Sequence, residues 1–106
     1  MHIEPVFTFK VRSRHELWDR VGQLMQNGRT GADLQDEVDA FGEEAADHLE
    51  DILDAFDSAF LIANYQRTGN QVQLVFDWPP GMEKLADRIK GWLEACGAGE
   101  CLWRVT

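Results

Sequence analysis

The sequence predicts an α+β domain whose elements run β-α-(α)-β-β-α-β, the bracketed helix being long and acidic. Three observations carry this. Short stretches of alternating apolar and polar residues lie near both ends and in the middle of the chain. Between them run helical stripes with a 3.6-residue period. Residues 33–57 combine an apolar stripe with eleven carboxylates and no Lys or Arg.

From Pro5 to Val11, Phe7, Phe9 and Val11 face one way while Thr8 and Lys10 face the other, the pattern of a half-buried strand. Ser13 then opens a helix and Glu16 completes an S-x-x-E capping box, with Leu17, Trp18, Val21, Leu24 and Met25 as the apolar stripe. Asn27-Gly28 closes it with the signal of a left-handed cap. Arg29-Thr30-Gly31 is a connector in which Thr30 is placed to cap the next helix.

That helix is the acidic stretch. On a helical projection Leu34, Val38, Phe41, Ala45, Leu49, Ile52, Leu53 and Phe56 fall within an arc of roughly 120°. All eleven acids fall outside it. Gly42 costs ~1 kcal/mol relative to Ala in a helix, but the stripe keeps its phase on both sides, which predicts one helix, bent or straight, that spans about 37 Å if straight.

Ala59 to Trp78 reads as a hairpin, with a strand at Phe60–Gln66, a turn at Thr68-Gly69-Asn70 and a strand at Gln71–Asp77. Leu61, Ala63 and Tyr65 then share a face with Val72, Leu74 and Phe76. After Pro79-Pro80-Gly81, the stripe Met82, Leu85, Ala86, Ile89, Trp92, Leu93 and Cys96 makes another helix, stopped by Gly97-Ala98-Gly99. Cys101–Val105 is a last short strand. No linker or repeat divides the chain, so residues 1–106 are expected to form a single domain.

Apart from its extra helix, this order resembles the split βαβ arrangement of ferredoxin-like domains. The resemblance is architectural and implies no particular activity. It does raise a packing question, because one face of a four-stranded sheet holds two helices side by side, not three. The third helix is therefore expected on the sheet edge, over the other sheet face or against another chain. That other face, with Val6, Phe60, Ile62, Val75 and Leu102 among Thr8, Lys10, Asn64, Gln71 and Gln73, is expected to be covered by the acidic helix or a second subunit.

The net charge of −9 is local: outside residues 33–57, eight acids stand against ten bases, or +2. Such a strip suits a basic protein partner, whereas nucleic-acid binding needs Lys and Arg to neutralise phosphates. Neither a secretory signal nor an apolar run long enough to cross a bilayer is visible, so no membrane association is expected. The single C-x4-C pair, Cys96 and Cys101, matches neither a disulfide framework nor a zinc ligand set, which points to a cytoplasmic location and no cofactor.

Asp39, Glu43, Asp47, Glu50 and Asp54 are the candidate partner-binding residues. Five like-charge i,i+4 pairs (33–37, 39–43, 43–47, 47–51 and 50–54) oppose the helix, at ~0.2–0.5 kcal/mol each. The competing reading is a solvated face, or one neutralised by Arg12, Arg14, Arg20 or Arg29. Glu44, His48 and Asp51, at i, i+4 and i+7, form a weak metal candidate. No phosphate loop, nucleophile elbow or other catalytic set emerges. The sequence thus favours a small interaction or regulatory protein that presents the acidic helix to a basic protein. A ligand-binding regulatory module that dimerises through its sheet comes second and an enzyme third.

Overall fold

The structure is a computed structural model and describes residues 2–105. Its strands are β1 (Pro5–Lys10), β2 (Ala63–Thr68), β3 (Gln71–Phe76) and β4 (Gly99–Val105). Its helices are α1 (His15–Gln26), α2 (Ala32–Val38), α3 (Glu43–Ala55) and α4 (Glu83–Ala95). The strands form one antiparallel sheet in the order β2-β3-β1-β4.

The alternation in β1 sends Phe7 and Phe9 into the core, followed by Val11. In the hairpin Ala63 pairs with Phe76 and Tyr65 with Leu74, so these four share a face as their spacing predicts. Thr68 pairs with Gln71 across a two-residue loop. Gly69, at φ 63, takes the first loop position, where a II′ turn needs glycine. The strand begins later than expected, at Ala63. Ser58–Leu61 instead winds into a 3-10 turn, started by the Asp57 carboxylate accepting from the Ala59 N–H. Phe60 therefore packs against the core rather than on the outer sheet face, and its carbonyl accepts the indole N–H of buried Trp78 at 2.7 Å.

Both sheet-packed helices end as their glycines predict. Arg29 N–H reaches Leu24 O around Gly28, and Ala98 N–H reaches Leu93 O around Gly97. Their starts differ from expectation. Ser13 does not cap α1: Arg14 adopts the left-handed conformation (φ 57), and its carbonyl accepts the Trp18 N–H, so the helix starts one residue beyond the capping-box register. Thr30 does not cap α2 either. Gly31 holds that position, and the buried Thr30 hydroxyl donates to Ser58 O at 2.6 Å.

The largest correction concerns the acidic stretch, which is two helices and not one. Asp39–Phe41 tightens into a 3-10 turn, and Gly42, at φ 121 and ψ 171, breaks the chain before α3. The Arg14 guanidinium donates to the carbonyls of Ala40 and Phe41, and the Gln35 amide donates to Ala46 O across the break. Leu34, Val38, Phe41, Ala45, Leu49 and Ile52 are all buried nonetheless. A continuous apolar phase therefore does not require a continuous rod.

The break answers the packing question. α1 lies against β2 and α4 against β4, while α2 packs on α1 and α3 on α4. The acidic segment thus rests on the helices, not on the edge or the far face of the sheet. Trp18 links the layers, its ring 5.1 Å from Phe9 below and 5.0 Å from Phe41 above. Among the described residues the outer sheet face has no cover from the helices, so of the two covers expected, the acidic helix is not the one that lies there. The face carries Thr8, Lys10, Asn64, Gln66, Gln71, Gln73, Leu102 and Arg104, while Val6 is shielded between Val75 and Arg104.

Candidate functional site

Burying Ala45, Leu49 and Ile52 forces the other side of α3 outward. Its six carboxylates (Glu43, Glu44, Asp47, Glu50, Asp51 and Asp54) are all exposed and occupy an arc of about 120°. Glu43, Asp47, Glu50 and Asp54 form the tightest stripe, within about 60° and over roughly 16 Å of helix. Asp39, the fifth candidate, lies beyond the Gly42 break in the 3-10 turn, also exposed.

Counter-charges are distributed unevenly. Arg29 pairs with Asp33 at 2.7 Å and Arg20 with Glu37 at 3.6 Å, both on α2. Among the described residues no base pairs with any acid of α3. Arg88 of α4 lies over the Phe56 ring at the end of this helix, 5.9 Å from its centre. Neutralisation by the fold's own arginines therefore applies to α2 and not to α3.

Glu44, His48 and Asp51 all lie on α3, with Glu44 and Asp51 exposed. Among the described residues no three His, Cys, Asp or Glu side chains converge as a metal needs. His48 is half-buried, with its ring facing Gly91 of α4, where a β-carbon would lie 3.6 Å from Cε1. Cys96 and Cys101 are free and buried. Burial pushes the Cys96 thiol up to about 12 and Cys101 to about 11, with Glu94 adding to the latter. Neither is poised as a thiolate nucleophile.

One polar cluster joins Tyr65 and Arg67 to a partner that the sequence does not place. Asp19 of α1 accepts from the Tyr65 hydroxyl at 2.8 Å and from Arg67 at 2.8 and 2.9 Å, both partners projecting from β2. Arg67 holds the Asp19 carboxyl below its usual range, against burial and with help from Tyr65. Burial, then the Asp19 hydrogen bond and charge, raises the Tyr65 hydroxyl well above its usual value. A phenol so held stays protonated, which makes the trio a clamp between helix and strand rather than an acid–base pair. The local signal is the placement of Tyr65 and Arg67 on the inward face of β2, but their partner lies 46 and 48 residues away.

The clefts are open and shallow. One of about 560 Å³ lies at the outer sheet face beside Thr8, Lys10, Glu94, Glu100, Cys101 and Leu102, and another of about 280 Å³ sits beside Arg14, Phe41 and Gly97. Cys101 lines the first beside Glu94 and Glu100, but burial and the Glu94 charge keep its thiol protonated. No family model, no curated protein and no solved structure matches the chain. Among the described residues no helix is long and apolar enough to cross a membrane.

Proposed function

We propose that this is a small cytoplasmic interaction or regulatory protein that docks a basic protein partner on the outer face of α3. One observation carries the reading: six exposed carboxylates share one helix face without a counter-charge, although the chain has ten bases. Three like-charge i,i+4 pairs remain inside α3 (43–47, 47–51 and 50–54), at a cost of ~0.2–0.5 kcal/mol each. Concentrated charge of this kind steers an oppositely charged protein and sets its on-rate.

The same reading takes the fold as ferredoxin-like. β3 lies between β1 and β2, so β1-α1-β2 is a split βαβ unit, with α2 and α3 inserted after α1. The insertion sits on the helix layer, which turns its acids to solvent. Free, buried cysteines support a reducing compartment.

The test is affinity capture from source lysate at low and high salt, with wild type and a variant carrying Gln at positions 43, 47, 50 and 54. A basic protein held at low salt, released at high salt and lost with the variant supports the reading. Equal capture by both proteins rejects it.

A further inference from the structure

The two edges of the sheet are not treated alike. On β2 the backbone N–H of Tyr65 donates to the Gln26 side chain at 3.2 Å, so α1 closes part of that edge. β4 is the opposite edge. It pairs with β1 on one side, and among the described residues nothing bonds its other side. Natural edges are usually shortened, charged or covered, because open N–H and C=O groups template pairing with another chain. β4 is seven residues long and carries Leu102, 68% exposed, and Val105, 49% exposed.

The outward residues of β4 read Glu100, Leu102, Arg104. A bulge between Thr8 and Lys10 sets two residues of β4, Glu100 and Cys101, opposite Phe9, and Glu100 (φ 52) turns its carboxylate outward to Lys10 at 2.8 Å. The order acid–apolar–base is self-complementary. In an antiparallel pair of identical strands with Leu102 opposite itself, Arg104 of each copy stands opposite Glu100 of the other. The inward side agrees: half-buried Trp103 would be sealed by the second strand.

We propose that β4 is a homodimer edge, at which two copies join antiparallel about a two-fold axis through Leu102 to make one eight-stranded sheet. A second copy fits better than a foreign strand because the charge order matches its own reverse, as an isologous contact requires. It also fits better than contact through α3, where two anionic faces would repel.

Sedimentation equilibrium across a concentration series tests this. Wild type should sediment at twice 12.1 kDa. Leu102→Lys, Arg104→Glu and Glu100→Arg should each sediment as monomers while keeping a folded circular-dichroism spectrum, since all three positions are exposed. An equimolar mixture of the Arg104→Glu and Glu100→Arg proteins should form a dimer again, because each strand then faces its opposite charge at both positions. A wild type that is monomeric up to its solubility limit overturns the proposal. So does a dimer indifferent to the single changes, or a mixture that stays monomeric.

Discussion

The Tyr65 ring occupies the space where a side chain at Gly22 would begin, so β2 and α1 touch through a glycine. Gly22 is buried in the middle of a helix, where alanine is ordinarily favoured by ~1 kcal/mol. Here the sign should reverse. Gly22→Ala should displace the ring and strain the Asp19–Tyr65–Arg67 clamp, with a net loss of about 1–3 kcal/mol typical of overpacking. Urea denaturation read by fluorescence decides it, and a stabilised alanine variant would mean that the ring does not rest there.

The clamp itself predicts a pH dependence. The Asp19 carboxyl is depressed in the folded protein, chiefly by its hydrogen bonds to Arg67. Such a group contributes stability that is complete above its unfolded value, about 3.9, and is lost as pH falls through the lower folded value. Asp19→Asn should therefore melt below wild type at neutral pH, and the gap should close in the acid limb below about pH 4. Melting curves over that range should converge. A constant gap would assign the loss to packing alone.

At Gly42 two readings of the acidic stretch predict opposite signs. If 33–57 were one rod, Gly42→Ala would raise stability by ~1 kcal/mol through helix propensity. In the broken arrangement φ 121 with ψ 171 is a region that residues with a side chain rarely adopt. The substitution should then cost roughly 1–3 kcal/mol. A thermal melt of this single variant distinguishes a break from a rod.

What was legible in the sequence followed from local period. Phe7, Phe9 and Val11 turn inward because strand residues alternate, and Gly28 and Gly97 end their helices because a left-handed cap suits glycine. Gly42 reads as a helix-interior residue because Leu34, Val38, Phe41, Ala45 and Leu49 stay in phase through the break, so the stripe carries no trace of it. Ser13 and Glu16 spell a capping box that the left-handed Arg14 pre-empts, with its guanidinium tied to Ala40 and Phe41 on the other side of the chain. The acids of α3 were visible as residues. Their lack of counter-charge was not, because it depends on which arginines the fold brings near, and among the described residues the acids of the segment so reached are Asp33 and Glu37.

Leu49 and Phe41 anchor the acidic segment on the helices beneath, with Leu49 fully buried and Phe41 packed edge-on against Trp18. Truncating either to Ala should cost about 2–4 kcal/mol. Chemical denaturation of both variants measures this. Near-wild-type values would mean that the segment gains its packing from a partner and not from its own fold.

The charge of α3 allows the sharpest separation of stability from function. Asp47, Glu50 and Asp54 take part in the like-charge pairs that remain in α3, and Asp54 also stands near the negative end of its dipole. Replacing these three with Gln should raise stability by roughly 0.5–1.5 kcal/mol. Glu43 behaves differently, because the break at Gly42 places it in the first turn of α3, where a carboxylate is favourable. Glu43→Gln should be neutral or cost a few tenths of a kcal/mol. The same substitutions should weaken capture of a basic partner, mainly by slowing association and most strongly at low salt. Melting and association kinetics on the same set of variants therefore move in opposite directions if the strip binds a partner. If the strip is only a solvated face, the three-site variant gains stability and captures everything the wild type does, and the interaction reading fails.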